Sequence, residues 1–99
     1  MYIIKKMAER ISEELEDAKT YAEDYIEARA KGNMSVANKY KEMSSDELRH
    51  AEIIHGFAVT EIESVAKVYT APVEMQERWE KIHKEYVQTA ALVRQMLSM

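Results

Sequence analysis

The chain reads as an all-α protein, a long antiparallel helix hairpin followed by a third helix. Three observations predict this. Glycine and proline are scarce, with two glycines and one proline among 99 residues, while Ala, Glu, Lys, Met and Ile abound, an inventory of strong helix formers. Apolar residues recur at alternating steps of three and four, the period of helices that bury one face. Turn signals fall at only two places, Lys31-Gly32-Asn33 and Thr70-Ala71-Pro72.

These breaks divide a single domain, residues 1–99, into helices expected near 2–31, 35–69 and 72–98. Gly32 suits the left-handed position just past a helix end. Pro72 suits a first helical turn, where Glu74 also favours the helix dipole. The first helix carries a seam of Ile4, Met7, Ile11, Glu14, Ala18, Tyr21, Tyr25 and Ala28, widened by Ala8, Leu15 and Ala22. The second repeats the spacing with Val36, Tyr40, Met43, Glu47, His50, Ile54 and Phe57, flanked by Ala37, Ala51 and Ala58. The third reads Met75, Trp79, Ile82, Tyr86, Val93 and Met96, beside Ala90 and Leu97. A second helix of ~35 residues is ~50 Å long. So short a chain cannot cover all of it, and the expected remedy for an exposed apolar stripe is self-association.

Composition removes several classes of function. The net charge is -4 and no basic block occurs, which argues against nucleic-acid binding. No apolar run approaches the ~18 residues of a membrane span. The start, Met1-Tyr2-Ile3-Ile4-Lys5-Lys6, is too short for a signal peptide. With no cysteine, disulfides, thiol catalysis, Cys-ligated zinc and iron–sulfur centres are excluded. No Ser-His-acid arrangement or Gly-rich phosphate loop is present. A cytoplasmic location fits these features.

Three seam positions hold ionisable residues. Glu14 lies between Ile11 and Ala18, and Glu47 and His50 lie between Met43 and Ile54. A buried carboxylate without a partner costs several kcal/mol. Folding the first two helices about residues 32–33 places a residue near 51 level with Glu14. Glu47 and His50 are then within about one turn of that height, and at i and i+3 they share a helix face. Carboxylates with one imidazole suit Fe(II) or Mn(II). One chain supplies two carboxylates and one histidine. A two-fold dimer supplies twice that set, the ligand complement of di-iron and di-manganese carboxylate bundles.

The stretch Glu14-Leu15 … Tyr21 … Asp46-Glu47-Leu48-Arg49-His50-Ala51 resembles the first two helices of the ferritin superfamily, bacterioferritin and rubrerythrin especially. The resemblance covers roughly residues 11–55. The third helix has no Glu-x-x-His, so the chain holds half a site. In this it is most similar to the encapsulated ferritins, which assemble ferroxidase centres across subunit interfaces. The resemblance implies a ferritin-like four-helix bundle on dimerisation, a di-iron cofactor and oxidation of Fe(II) by dioxygen. It makes Glu47 the bridging carboxylate, Glu14 a terminal carboxylate and His50 a terminal nitrogen ligand. Tyr21 matches a tyrosine close to the dimetal centre, and Tyr21, Tyr25 or Tyr40 is expected to bond a carboxylate or act as a redox-active neighbour. An encapsulin shell is an implied partner, although no targeting tail is recognised after the third helix.

Plainer readings stand beside these. Ser44-x-x-Glu47 fits a capping box, so Glu47 could open a new helix instead. Asp17 is the alternative ligand to Glu14. Glu61 extends the second seam as an entry-path or exposed carboxylate. His55 falls on another face, where solvation is the default, and His83 borders the third stripe as a core-edge histidine. The competing function is a metal-free helical oligomerisation or adaptor module.

Overall fold

A computed structural model describes residues 2–99, and Met1 lies outside the described residues. Three helices follow one another: α1 (Tyr2–Ala30), α2 (Met34–Ala66) and α3 (Val73–Leu97). They form an elongated body of 55 × 18 × 17 Å. No described helix is long and apolar enough to cross a membrane.

The first turn is as tight as its sequence implies. Gly32 takes φ 77°, a conformation that strains any residue with a Cβ. Its N–H donates to the Arg29 carbonyl at 3.0 Å and the Asn33 N–H to the Ala28 carbonyl at 2.9 Å, closing α1 with a Schellman pair. The Asn33 side chain then accepts from the Val36 N–H at 3.3 Å and caps α2. The second helix ends at Ala66, three residues before the expected 69; Val68 and Tyr69 donate back to the Val65 carbonyl in a closing turn. Pro72 sits at the cap position before α3.

α2 runs antiparallel to α1. α3 runs parallel to α1, tied to it by Ser12 donating to Glu85 at 3.0 Å and Tyr25 donating to the Met99 carbonyl at 3.0 Å. The core of the hairpin is a seam of small residues. On α2 the positions 37, 44, 51 and 58 repeat every seven residues, and Ala37, Ser44, Ala51 and Ala58 are all fully buried. They meet Ile11, Leu15, Ala18 and Ala22, equally enclosed on α1. Side chains this small let helices approach closely. Ala90, Val93 and Leu97 of α3 join the same core.

This corrects the expected centre of the α2 seam. The large side chains Val36, Met43 and Phe57 do not face α1; they are 38%, 41% and 58% exposed. The buried line lies one position further along, on the alanines and Ser44. The capping-box alternative also falls: Ser44 is mid-helix, and its hydroxyl donates to the Ala18 carbonyl at 2.6 Å.

Candidate metal centre

The Ser44–Ala18 contact sets the register at which α1 and α2 meet. With 44 opposite 18 in an antiparallel pair, 48 stands opposite 14. That is three residues short of the expected 51: the 44–18 pairing centres the hairpin at residue 31, just past the end of α1 at Ala30. Glu47 and His50 flank position 48, so both reach Glu14. The His50 Nδ1 lies 3.5 Å from one Glu14 oxygen and 3.9 Å from one Glu47 oxygen. One ligand atom from each of the three residues falls within 4.8 Å of the others.

The three occupy the rim of the hairpin seam. On α1 the line Met7, Glu14, Tyr21 is half-buried. On α2 the line Tyr40, Glu47, Ile54 is half-buried, and the next line outward is Val36, Met43, His50, Phe57. The side chains become more exposed across that rim, at 18% for Glu14, 24% for Glu47 and 43% for His50. Among the described residues, the side-chain hydrogen bonds that α3 and Met99 beyond it make with α1 and α2 land on Ser12, Tyr25, Glu52 and His55, and none reaches the triad. The cluster therefore opens on the side that α3 leaves bare, beside apolar Met43 and Phe57.

The electrostatics are unresolved by protein atoms alone. The same Glu14 oxygen that stands 3.5 Å from His50 Nδ1 is buried and accepts no hydrogen bond, although burying an acceptor unpaired costs about 1–3 kcal/mol. The adjacent Glu14 carboxylate, favouring a proton held between the two, pushes Glu47 up to about 7; burial and the charges of Glu14 and Asp17 act in the same sense, and His50 opposes them. Two crowded carboxylates, an orphaned acceptor and one imidazole make a donor set for a hard or borderline divalent cation. These residues fit such an ion.

The other expected residues divide. Tyr21 stacks on Tyr40 with ring centroids 6.3 Å apart, two turns along α1 from Glu14 on the same open groove. Tyr25 is committed elsewhere: its hydroxyl bonds the Met99 carbonyl, and Arg29 donates to it at 3.5 Å. Asp17 is exposed and outside the triad, acting on Glu47 only through its field. Glu61 is half-buried. His55 is not the solvated residue expected, since it is half-buried and packed against Trp79, His83 and Tyr86. Its position on α2, facing α3, follows from helical phase, but the face α3 would choose was not visible in the seam pattern.

No family model matches the chain, and no curated protein or solved structure matches it.

Proposed function

We propose that the chain is a ferritin-like dimetal-carboxylate protein whose site is completed by a second copy of itself, with Fe(II) as substrate and dioxygen as oxidant. The observation that carries this reading is the convergence of Glu14, Glu47 and His50 within 4.8 Å around an orphaned, buried carboxylate oxygen. Bound iron would supply one-electron redox chemistry. The protein's part would be to hold it with Glu14, Glu47 and His50, among which the resemblance gives Glu47 the bridging role and Glu14 and His50 the terminal ones. Mn(II) suits the same donors.

Ligand number and surface favour pairing. Two carboxylates and one imidazole balance the charge of a divalent ion but leave its coordination incomplete, whereas two sets brought together by a two-fold axis give the ligand complement of a two-ion centre. The exposed line of Val36, Met43 and Phe57 runs on both sides of His50, so a partner seated on those side chains would face the ligands. Tyr21 and Tyr40 lie on the same groove as candidates for a redox-active or hydrogen-bonding neighbour. Residence in an encapsulin shell is a further part of the proposal, resting on the resemblance alone.

The test is metal content per chain after anaerobic loading with Fe(II), read together with mass in solution. About one iron per chain in a dimer or larger assembly, lost in Glu47→Ala, supports the reading, and oxygen consumption on adding Fe(II) extends it. No iron at any loading, with an unchanged oligomer in Glu47→Ala, overturns it and leaves a metal-free helical interaction module, for which the exposed Met43 and Phe57 would be the contact surface.

A further inference from the structure

A second feature lies at the end of the molecule where α2 hands over to α3. α2 stops at Ala66 and α3 starts at Val73. Val68 and Tyr69 donate back to the Val65 carbonyl at 3.0 and 3.1 Å, and the Gln76 side chain donates to the Ala71 carbonyl at 2.7 Å. These bonds fix the connection at both of its ends. Between it, the last turns of α2, the first turns of α3 and the start of α1 lies a cavity of about 330 Å³.

The floor of this cavity is apolar. Ile4 is buried there, and Ile62, Val65, Met75 and Trp79 are half-buried. Its rim is exposed and polar, made by Tyr69, Thr70, Gln76 and Glu80. Glu80 supplies the only charge among the described residues that line it. None of the ion pairs formed among the described residues takes up the Glu80 carboxylate. A cavity of this size, with apolar walls and a few polar groups at its edge, has the form of a small-ligand site.

Three features select the ligand's chemistry. The floor favours a hydrocarbon body, which gains roughly fourfold in affinity for each methylene taken from water. The lone carboxylate at the rim attracts a positive head and repels an anion. Trp79 and Tyr69 add aromatic rings to the wall, and ammonium groups are attracted to the faces of such rings. Trp79 is set before any ligand arrives, because it stacks on His55 with centroids 5.5 Å apart, and a preset wall lowers the cost of binding.

We propose that this cavity binds a small organic cation, an alkylammonium whose chain lies on the apolar floor and whose head sits at the rim beside Glu80. Ile4 is ten residues from Glu14, roughly 15 Å along α1. The cavity is therefore separate from the carboxylate cluster, and the proposal does not rest on the metal reading.

Trp79 is the sole tryptophan, so its fluorescence reports on the cavity. The full chain, in chelator, is titrated with hexyltrimethylammonium, hexanoate and tetramethylammonium, and heats of binding are measured in parallel. Saturable binding is expected, with hexyltrimethylammonium roughly tenfold or more tighter than either of the others. Glu80→Gln, at an exposed position, should bring hexyltrimethylammonium and hexanoate within about threefold of each other. Ala66→Phe adds a ring at the mouth from another exposed position and should weaken binding by roughly tenfold or more, with helical content unchanged by circular dichroism. No saturable binding by either readout, equal affinity for cation and anion, a preference that Glu80→Gln leaves intact, or an affinity that Ala66→Phe leaves unchanged overturns the proposal. So does a fall in the mass of the ligand-free chain on Ala66→Phe, read by sedimentation, which would put a second copy in the cavity instead.

Discussion

In the metal-free fold Glu47 should favour low pH, while the depressed pKa of His55 acts the other way over the same range. The Glu47 carboxyl sits at about 7 in the folded chain against an ordinary 4.5. A carboxyl that keeps its proton when folded and releases it when unfolded stabilises the fold at low pH. That contribution is whole below about 4.5 and is lost as the pH rises through about 7. Between pH 8 and pH 5.5, linkage gives a ceiling of about 2 kcal/mol. The Glu47 side chain is 24% exposed, and solvent relieves part of the crowding, so about 1 kcal/mol is the working figure. For a chain of this size that raises Tm by roughly 4–8 °C. The assay is thermal unfolding followed at 222 nm, in chelator and at fixed protein concentration, for the native chain and for Glu47→Gln. The variant cannot ionise there and should lose this part of the pH dependence. Equal pH slopes for the two proteins would refute the argument that Glu14 and Glu47 crowd each other. With Fe(II) or Mn(II) bound the sign should reverse, since the ion displaces the proton and binds more weakly as the pH falls.

Other perturbations separate the elements. Gly32→Ala forces a Cβ into φ 77° and should cost about 1–2 kcal/mol, read as a lower Tm. Gly56→Ala, mid-helix with open space where the Cβ would be, should raise stability by about 0.5–1 kcal/mol. Ile11→Ala empties a fully buried position between the helices and should cost about 2–5 kcal/mol, visible as a lower urea midpoint. Phe57→Glu alters a residue that is 58% exposed; helicity should persist while sedimentation shows a smaller species, and an unchanged mass would remove Phe57 from the proposed interface.

Helix number, both turns and the triad were all legible in the sequence because each rests on local chemistry: periodicity, one glycine able to take positive φ, and ionisable residues breaking an apolar stripe. The depth of each residue was less legible. Periodicity weights large side chains, so it put Met43 and Phe57 at the centre of the α2 seam. Close packing of two helices instead selects the smallest side chains, and the enclosed line became Ala37, Ser44, Ala51 and Ala58. Ser44 drew attention only as a possible cap. Its actual partner, the Ala18 carbonyl 26 residues away, belongs to a register that no local pattern encodes. The environment of His55 was hidden for the same reason, because it depends on which face of α2 receives α3.

The shift of one position changes what the site is. Had Glu14, Glu47 and His50 lain on the enclosed line, the chain would have buried three ionisable groups in its own core, at a cost of several kcal/mol while no ion was bound. Alanines and Ser44 take that line, and the ionisable residues move to the rim. There Glu14 remains deep enough to leave one oxygen unpaired, while His50 is 43% exposed. The small-residue seam thus does two things at once. It brings α1 and α2 close enough for Glu14 to meet Glu47 and His50, and it turns the larger apolar side chains outward around them. The site is half-enclosed by its own chain and bordered by bare Met43 and Phe57, and under the proposed pairing its remaining ligands and cover would come from the same surface of a second copy.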